Sequence, residues 1–193
     1  VLDQIREKAE GIIEPIARKF VKVGFTPNSL TCIGIAFGII AAFLFAQGEQ
    51  PLAGLALLTC GFFDVIDGAV ARLAGRVTAF GGVLDSVADR YVELLIFVGI
   101  IYGGLIEVGY LPGWLWGLLA LTGSLLVSYT RARAEAEGSG KLAVGIAERG
   151  ERFLILAVGG LLALAGYAVV LIAILAHLTV AQRLVVARRR LRW

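Results

Sequence analysis

The sequence predicts an all-α integral membrane protein: six transmembrane helices preceded by an amphipathic juxtamembrane helix, with both termini cytoplasmic. Three observations lead there. Of 193 residues, 59% are hydrophobic and 17% charged, against about 25% charged in a typical soluble chain, and the mean hydropathy is +0.86. The apolar residues gather into segments near the roughly 20 residues that a spanning helix needs. The 18 Lys and Arg avoid every second connection between those segments.

In chain order, residues 1–23 alternate Ile5, Ile12, Ile13, Ile16, Phe20 and Val21 with Lys, Arg and Glu. That pattern predicts an amphipathic helix on the membrane surface, broken at Pro15. Thr26-Pro27-Asn28-Ser29 signals a helix start with Asn28 or Ser29 as N-cap. Apolar segments follow at Leu30–Gln47, Leu52–Leu73, Phe80–Gly104, Pro112–Ala134, Phe153–Gly166 and Tyr167–Ala187. The last two are parted only by a Gly-Tyr hinge, so five crossings compete with six.

Charge decides the count. Lys and Arg fall in the N-terminal arm, at 72–90, at 131–152 and from Arg183 onward; the connections near 48–51, 103–113 and 165–169 contain none. Under the positive-inside rule six crossings keep every cation cytoplasmic, whereas five would expel Arg188, Arg189, Arg190 and Arg192. The expectation is one domain over 1–193, a surface helix at 1–23 and a six-helix bundle at 30–187, multi-pass in the cell membrane with its site toward the cytoplasm. Tyr110, Trp114, Trp116 and Tyr167 are expected near the outer interface. The net charge of +3 is thereby a topology signal, and no nucleic-acid partner is expected. Cys32 and Cys60 form no CxxC pair and suggest no zinc or redox site. Gly34 and Gly38 form a GxxxG, the spacing of close helix packing.

Within the apolar segments lie five acids: Asp64, Asp67, Asp85, Asp89 and Glu93. An ionised side chain at mid-membrane costs roughly 2.5–3.5 kcal/mol on insertion scales, so the group needs compensation. Asp64 and Asp67 are i,i+3 on one helix; Asp85 and Asp89 are i,i+4 on the next, so each pair shares a face. A short connection makes the two helices antiparallel neighbours, and the carboxylates converge near their cytoplasmic ends. Hard oxygen donors at one locus suit one or two divalent cations, Mg²⁺ or Mn²⁺. Gly68 leaves room for a ligand at the backbone. Arg72, on the face of Asp64 and Gly68, is placed to clamp a phosphate, and Gly81 and Gly82 open the facing helix. The set describes a phosphoanhydride site with metal-assisted displacement.

The run Asp64-Val-Ile-Asp67-Gly68-Ala-Val-Ala71-Arg72, continued at Gly81, Asp85 and Asp89, resembles the complete signature of the CDP-alcohol phosphotransferase family. That resemblance implies transfer of a substituted phosphate from a CDP-linked lipid to an alcohol, with release of CMP. It implies that Asp64, Asp67 and Asp85 hold one Mg²⁺ (or Mn²⁺), that Asp85 and Asp89 hold a second, and that Asp89 is the general base. It further implies that Asn28, Thr31, Gly68, Ala71, Arg72, Thr78 and Gly81 hold the CDP-lipid, and it suggests a homodimer. Read alone, Thr78 and Asn28 are more often caps than ligands.

The acceptor is read from arginines elsewhere. Arg131 and Arg133 end the fourth spanning segment, Arg149 and Arg152 open the fifth, and Arg183 interrupts the last. Guanidinium groups match phosphate geometry, so these five are the expected binders of an acceptor phosphate. SYTRARAE at 128–135, GIAERGERF at 145–153 and the arm at 15–31 resemble the phosphatidylinositol-phosphate and archaetidylinositol-phosphate synthases. The implied partners are CDP-diacylglycerol or CDP-archaeol within membrane lipid, and inositol phosphate. Glycerol 3-phosphate is the alternative acceptor. An alternative of another class, a cation transporter using the Asp cluster, lacks the inverted repeats and broken helices of that class.

Overall fold

Seven helices and no strand make up the described residues of the computed structural model, which are 2–75 and 77–191. Arg76 and Arg192, counted above among the cytoplasmic cations, lie outside them, as do the side chains of Ile5 and Ile12. The helices are α1 (Leu2–Val23), α2 (Pro27–Ala46), α3 (Gln50–Leu73), α4 (Ala79–Tyr102), α5 (Gly113–Ala136), α6 (Arg149–Leu161) and α7 (Ala165–Arg190). By length and composition α2, α3 and α7 are apolar enough to cross a membrane. The outer faces carry large apolar side chains such as Phe43, Leu55, Val98, Leu118, Leu171 and Leu178, the exterior of a protein whose solvent is lipid.

Local chemistry sets the helix ends. Thr26 caps α2: its Oγ1 accepts the Ser29 amide, and Ser29 Oγ accepts the Thr26 amide, a reciprocal capping box. The cap is therefore Thr26, two or three residues before the expected one. Pro27 takes the first turn, where its missing N–H is no loss, and Ser29 is the N3 partner. Thr78 caps α4 by accepting the Gly81 amide at 3.0 Å. Glu148 and Glu151 box the start of α6.

Pro15 does not break α1, which continues through it. An interior proline costs roughly 3 kcal/mol; opposing it, Ile13, Ile16, Ala17 and Phe20 pack on Leu30, Ile66, Ala69 and Val70. The apolar face of α1 thus meets the protein. The break between the last two helices is also displaced, to Leu162–Leu164, where Ala163 adopts φ 56°.

The main core joins α2, α3, α4, α6 and α7 through Phe45, Leu57, Ile96, Ile100, Leu156 and Ile172. Gly34 and Gly38 serve internal packing: a Cβ on Gly38 would sit 2.5 Å from Val92 Cγ1 and 3.5 Å from Cys60 Sγ. Gly54 lies against the α6 backbone at Ala157–Leu161, so closely that any side chain would force the helices apart. Cys32 and Cys60 are free thiols.

Candidate active site

Helices α3 and α4 are joined by the connection at 74–78, but they are not the packed neighbours expected: each packs chiefly on α2, and their acids meet beside it. One carboxylate oxygen from each of Asp64, Asp85 and Asp89 lies within 4.8 Å of the others. Such a set of hard donors fits a divalent ion. Asp67 lines the same pocket but has a separate contact: its Oδ2 accepts a 2.6 Å hydrogen bond from Thr31 Oγ1. Three of the four expected ligands therefore converge, and the fourth is tied to α2.

Among the described residues, the cation nearest this cluster comes from α6. Arg149 Nη1 lies 3.1 Å from Asp64 Oδ2, and Nη2 lies 2.5 Å from Asp89 Oδ1. Its guanidinium also stands 5.8 Å from the centre of the Phe153 ring. Arg90 is a looser neighbour of Asp89, at 3.6 Å, and donates to Ser86 O at 2.6 Å. Arg149, expected from the sequence at an acceptor phosphate, is thus also part of the carboxylate pocket. Its place in the first turn of α6 gave no sign of that.

Among the residues expected to hold the CDP-lipid, Gly68 lies beneath Arg72, whose Nη1 would be 3.5 Å from a Cβ at residue 68. Asn28, Arg72, Thr78 and Gly81 are exposed and Ala71 is half-buried. Thr78 acts as a cap and Thr31 as a donor to Asp67, so both hydroxyls already have protein partners.

The expected acceptor arginines part company. Arg131, Arg149 and Arg183 border a cleft of about 480 Å³ with Arg90, Ser128 and Glu148. Arg131 Nε donates to Glu135 at 3.1 Å, and Glu135 also accepts the Leu142 amide at 2.7 Å. Arg183 is a buried strut: Nε donates to Val144 O, Nη1 to Val127 O and Nη2 to Glu148 Oε1, at 2.7, 2.6 and 3.1 Å. Arg183, expected at the acceptor phosphate, thus has its guanidinium nitrogens engaged by the protein and supports the cleft wall, and two further expectations are corrected. Arg152 is 1% exposed and gives its guanidinium to Glu93, at 2.9 and 3.1 Å, and to Ala147 O. It neutralises a buried acid and does not reach the cleft. Arg133 points outward into an i,i+4 pair with Glu137 and lies outside the cleft.

Thr179 was not anticipated. This buried α7 residue accepts the Ile146 and Ala147 amides at 3.3 and 3.1 Å, pinning the non-helical segment that leads into α6. Gly145, at φ 142°, gives that segment room beside the Thr179 side chain. A threonine in an apolar helix carries no sequence signal of such a role.

Residues 25–181 match the CDP-alcohol phosphatidyltransferase family. The chain is 43% identical over 191 residues to the archaetidylinositol phosphate synthase of Pyrococcus horikoshii, covering 99% of this chain and 98% of that one. It is 39% identical to the enzyme of the same name from Methanothermobacter thermautotrophicus, covering 100% and 96%. Among solved structures it resembles the phosphatidylinositol phosphate synthase of Mycobacterium tuberculosis with CDP-DAG bound, with a TM-score of 0.79, 32% identity and 91% and 93% coverage. The same enzyme in complex with manganese and citrate gives 0.79, 31% identity and 91% and 88% coverage.

Proposed function

This chain belongs to the CDP-alcohol phosphatidyltransferase family, and from that premise we propose that it makes a phosphoinositol lipid. The phosphatidyl or archaetidyl group of CDP-diacylglycerol or CDP-archaeol passes to inositol phosphate, and CMP leaves. The observation that carries this reading is the junction at Arg149, where the Asp64–Asp85–Asp89 cluster opens onto an arginine-lined cleft. A lipid pyrophosphate and a phosphorylated alcohol both need cations, and here their sites adjoin.

Asp64, Asp67 and Asp85 would hold one Mg²⁺ or Mn²⁺, and Asp85 and Asp89 a second. Bound there, such ions supply charge neutralisation for the attacking and leaving oxygens. Asp89 takes the proton of the acceptor hydroxyl as its oxygen bonds to the β-phosphorus. The bond from that phosphorus to the bridging oxygen then breaks and CMP departs. Thr31 holds Asp67 in orientation. Asn28, Gly68, Ala71, Arg72, Thr78 and Gly81 border the donor's nucleotide end. Arg131 and Arg149 receive the acceptor phosphate, while Arg183 positions Glu148 and the cleft wall. The segregation of Lys and Arg supports six crossings (α2–α7), cytoplasmic termini and a cytoplasmic site in the cell membrane. Residues 1–193 form one domain, and a homodimer completes the reading.

The test is CMP release in detergent with Mg²⁺, with inositol phosphate, glycerol 3-phosphate, free inositol and serine offered in turn to each CDP-lipid. Inositol phosphate should give the highest kcat/KM. A higher value with glycerol 3-phosphate would reassign the acceptor. Manganese should substitute for magnesium, and chelation should stop turnover.

A further inference from the structure

Arg149 stands where three spaces meet. It lines the carboxylate pocket, an apolar groove between α3 and α6 that includes Gly61 and Phe153, and the cleft bordered by Arg131 and Arg183. Its guanidinium spans Asp64 on α3 and Asp89 on α4, two of the carboxylates assigned to the ions. A guanidinium and a divalent cation on the same oxygens repel each other, and at about 4 Å within a protein that repulsion amounts to several kcal/mol. The two therefore compete for Asp64 and Asp89.

The helix that carries Arg149 is anchored independently of that contact. One turn along, Arg152 is fixed to Glu93 by two hydrogen bonds and to Ala147 O by a third. Release of the Arg149 side chain leaves α6 in register with α4. Within reach, the guanidinium already borders the cleft on the side of Arg131, where an anion would receive it.

We propose that Arg149 is a tethered cation that occupies the carboxylate cluster when divalent ions are absent and, when displaced by them, serves the acceptor cleft, coupling ion loading to acceptor binding. This rests on the metal and acceptor assignments above. Coupling is reciprocal: whatever factor the ion adds to acceptor affinity, the acceptor adds to ion affinity. The donor and acceptor sites then become competent together, and an ion-free protein holds its acceptor weakly.

Manganese binding to the purified full chain, followed by electron paramagnetic resonance without donor lipid, tests this apart from turnover. Arg149→Ala should bind Mn²⁺ about 5- to 150-fold more tightly than the unaltered chain, the usual span of such couplings. Arg149→Lys keeps the charge but loses the two-pronged reach, and should fall between; it serves if the alanine variant folds poorly. In calorimetry, Mn²⁺ should raise the affinity for 1D-myo-inositol 3-phosphate in the unaltered chain, and much less in Arg149→Ala. Equal or weaker Mn²⁺ binding in both Arg149 variants overturns the proposal, as does inositol phosphate binding indifferent to Mn²⁺. Asp89→Asn separates the two levels. If it loses Mn²⁺ while the Arg149 variants match the unaltered chain, only the coupling falls. If the unaltered chain binds no Mn²⁺, or Asp89→Asn binds it as well, the metal assignment falls and the coupling with it.

Discussion

Two carboxylate–arginine pairs join α4 to α6 one turn apart, Asp89 with Arg149 and Glu93 with Arg152, and they differ in nearly everything except composition. The lower pair is closed: its side chains are 8% and 1% exposed, and the guanidinium grips both carboxylate oxygens. The upper pair opens on a pocket, at 12% and 28%, and its arginine divides itself between two acids. A buried, reciprocally satisfied ion pair holds elements together, though apolar residues would often do so as well. A half-open pair with a shared cation has alternatives available to it. The difference between a strut and a site lies here in depth and stoichiometry, within one helical turn.

Four measurements break or sharpen that contrast. The largest effect is expected at the upper pair: Asp89→Asn should lower kcat for CMP release by at least about 10²- to 10⁴-fold, the usual weight of a general base, with the lost metal ligand adding to it, and without lowering the melting temperature. At the lower pair, Glu93→Gln strands a buried guanidinium and should destabilise the protein by about 3–5 kcal/mol, read as denaturation in detergent. Glu93→Leu combined with Arg152→Met removes both charges and should recover most of that loss. Next comes Thr31→Val, which takes the donor from the Asp67 carboxylate. A hydrogen bond to a charged group is worth about 1.5–3 kcal/mol, and the loss should appear as weaker CDP-lipid binding. The smallest effect is Arg133→Ala. Its pair with Glu137 is exposed, so stability should change by about 0–1 kcal/mol and the acceptor KM should stay where it was.

These pairs also show how far the sequence could be read. All-α architecture was legible because long apolar segments interrupted by polar connections have no other satisfactory backbone arrangement in lipid. Convergence of Asp64, Asp85 and Asp89 was legible from helical spacing, whereas the part of α2, which packs on both α3 and α4 and holds Asp67 through Thr31, was not. Depth was not legible: Arg149 and Arg152 share a face at i,i+3, and nothing in that spacing says which reaches a cleft and which a buried glutamate. Helix ends were misplaced where tertiary contacts or cap geometry decide them. Pro15 is carried through by packing on α3, and Thr26 takes the cap because Pro27 fits the first turn. Arg183 shows the same limit from the other side. A cation inside an apolar helix announces importance, but its partners Val127 and Val144 contribute carbonyls, which side-chain patterns do not display.

Thr179 has a consequence of its own. One hydroxyl oxygen with two lone pairs receives two successive amides, those of Ile146 and Ala147, immediately before α6 begins. Thr179 is 0% exposed, and its bond to the Ala147 amide is buried. Serine at 179 would preserve the arrangement, whereas valine, nearly identical in shape, would remove the acceptor from both amides and orphan the buried one at Ala147. The path by which the chain enters α6 is thus held from α7 by one oxygen, while Arg152 and Glu93 hold the helix itself to α4.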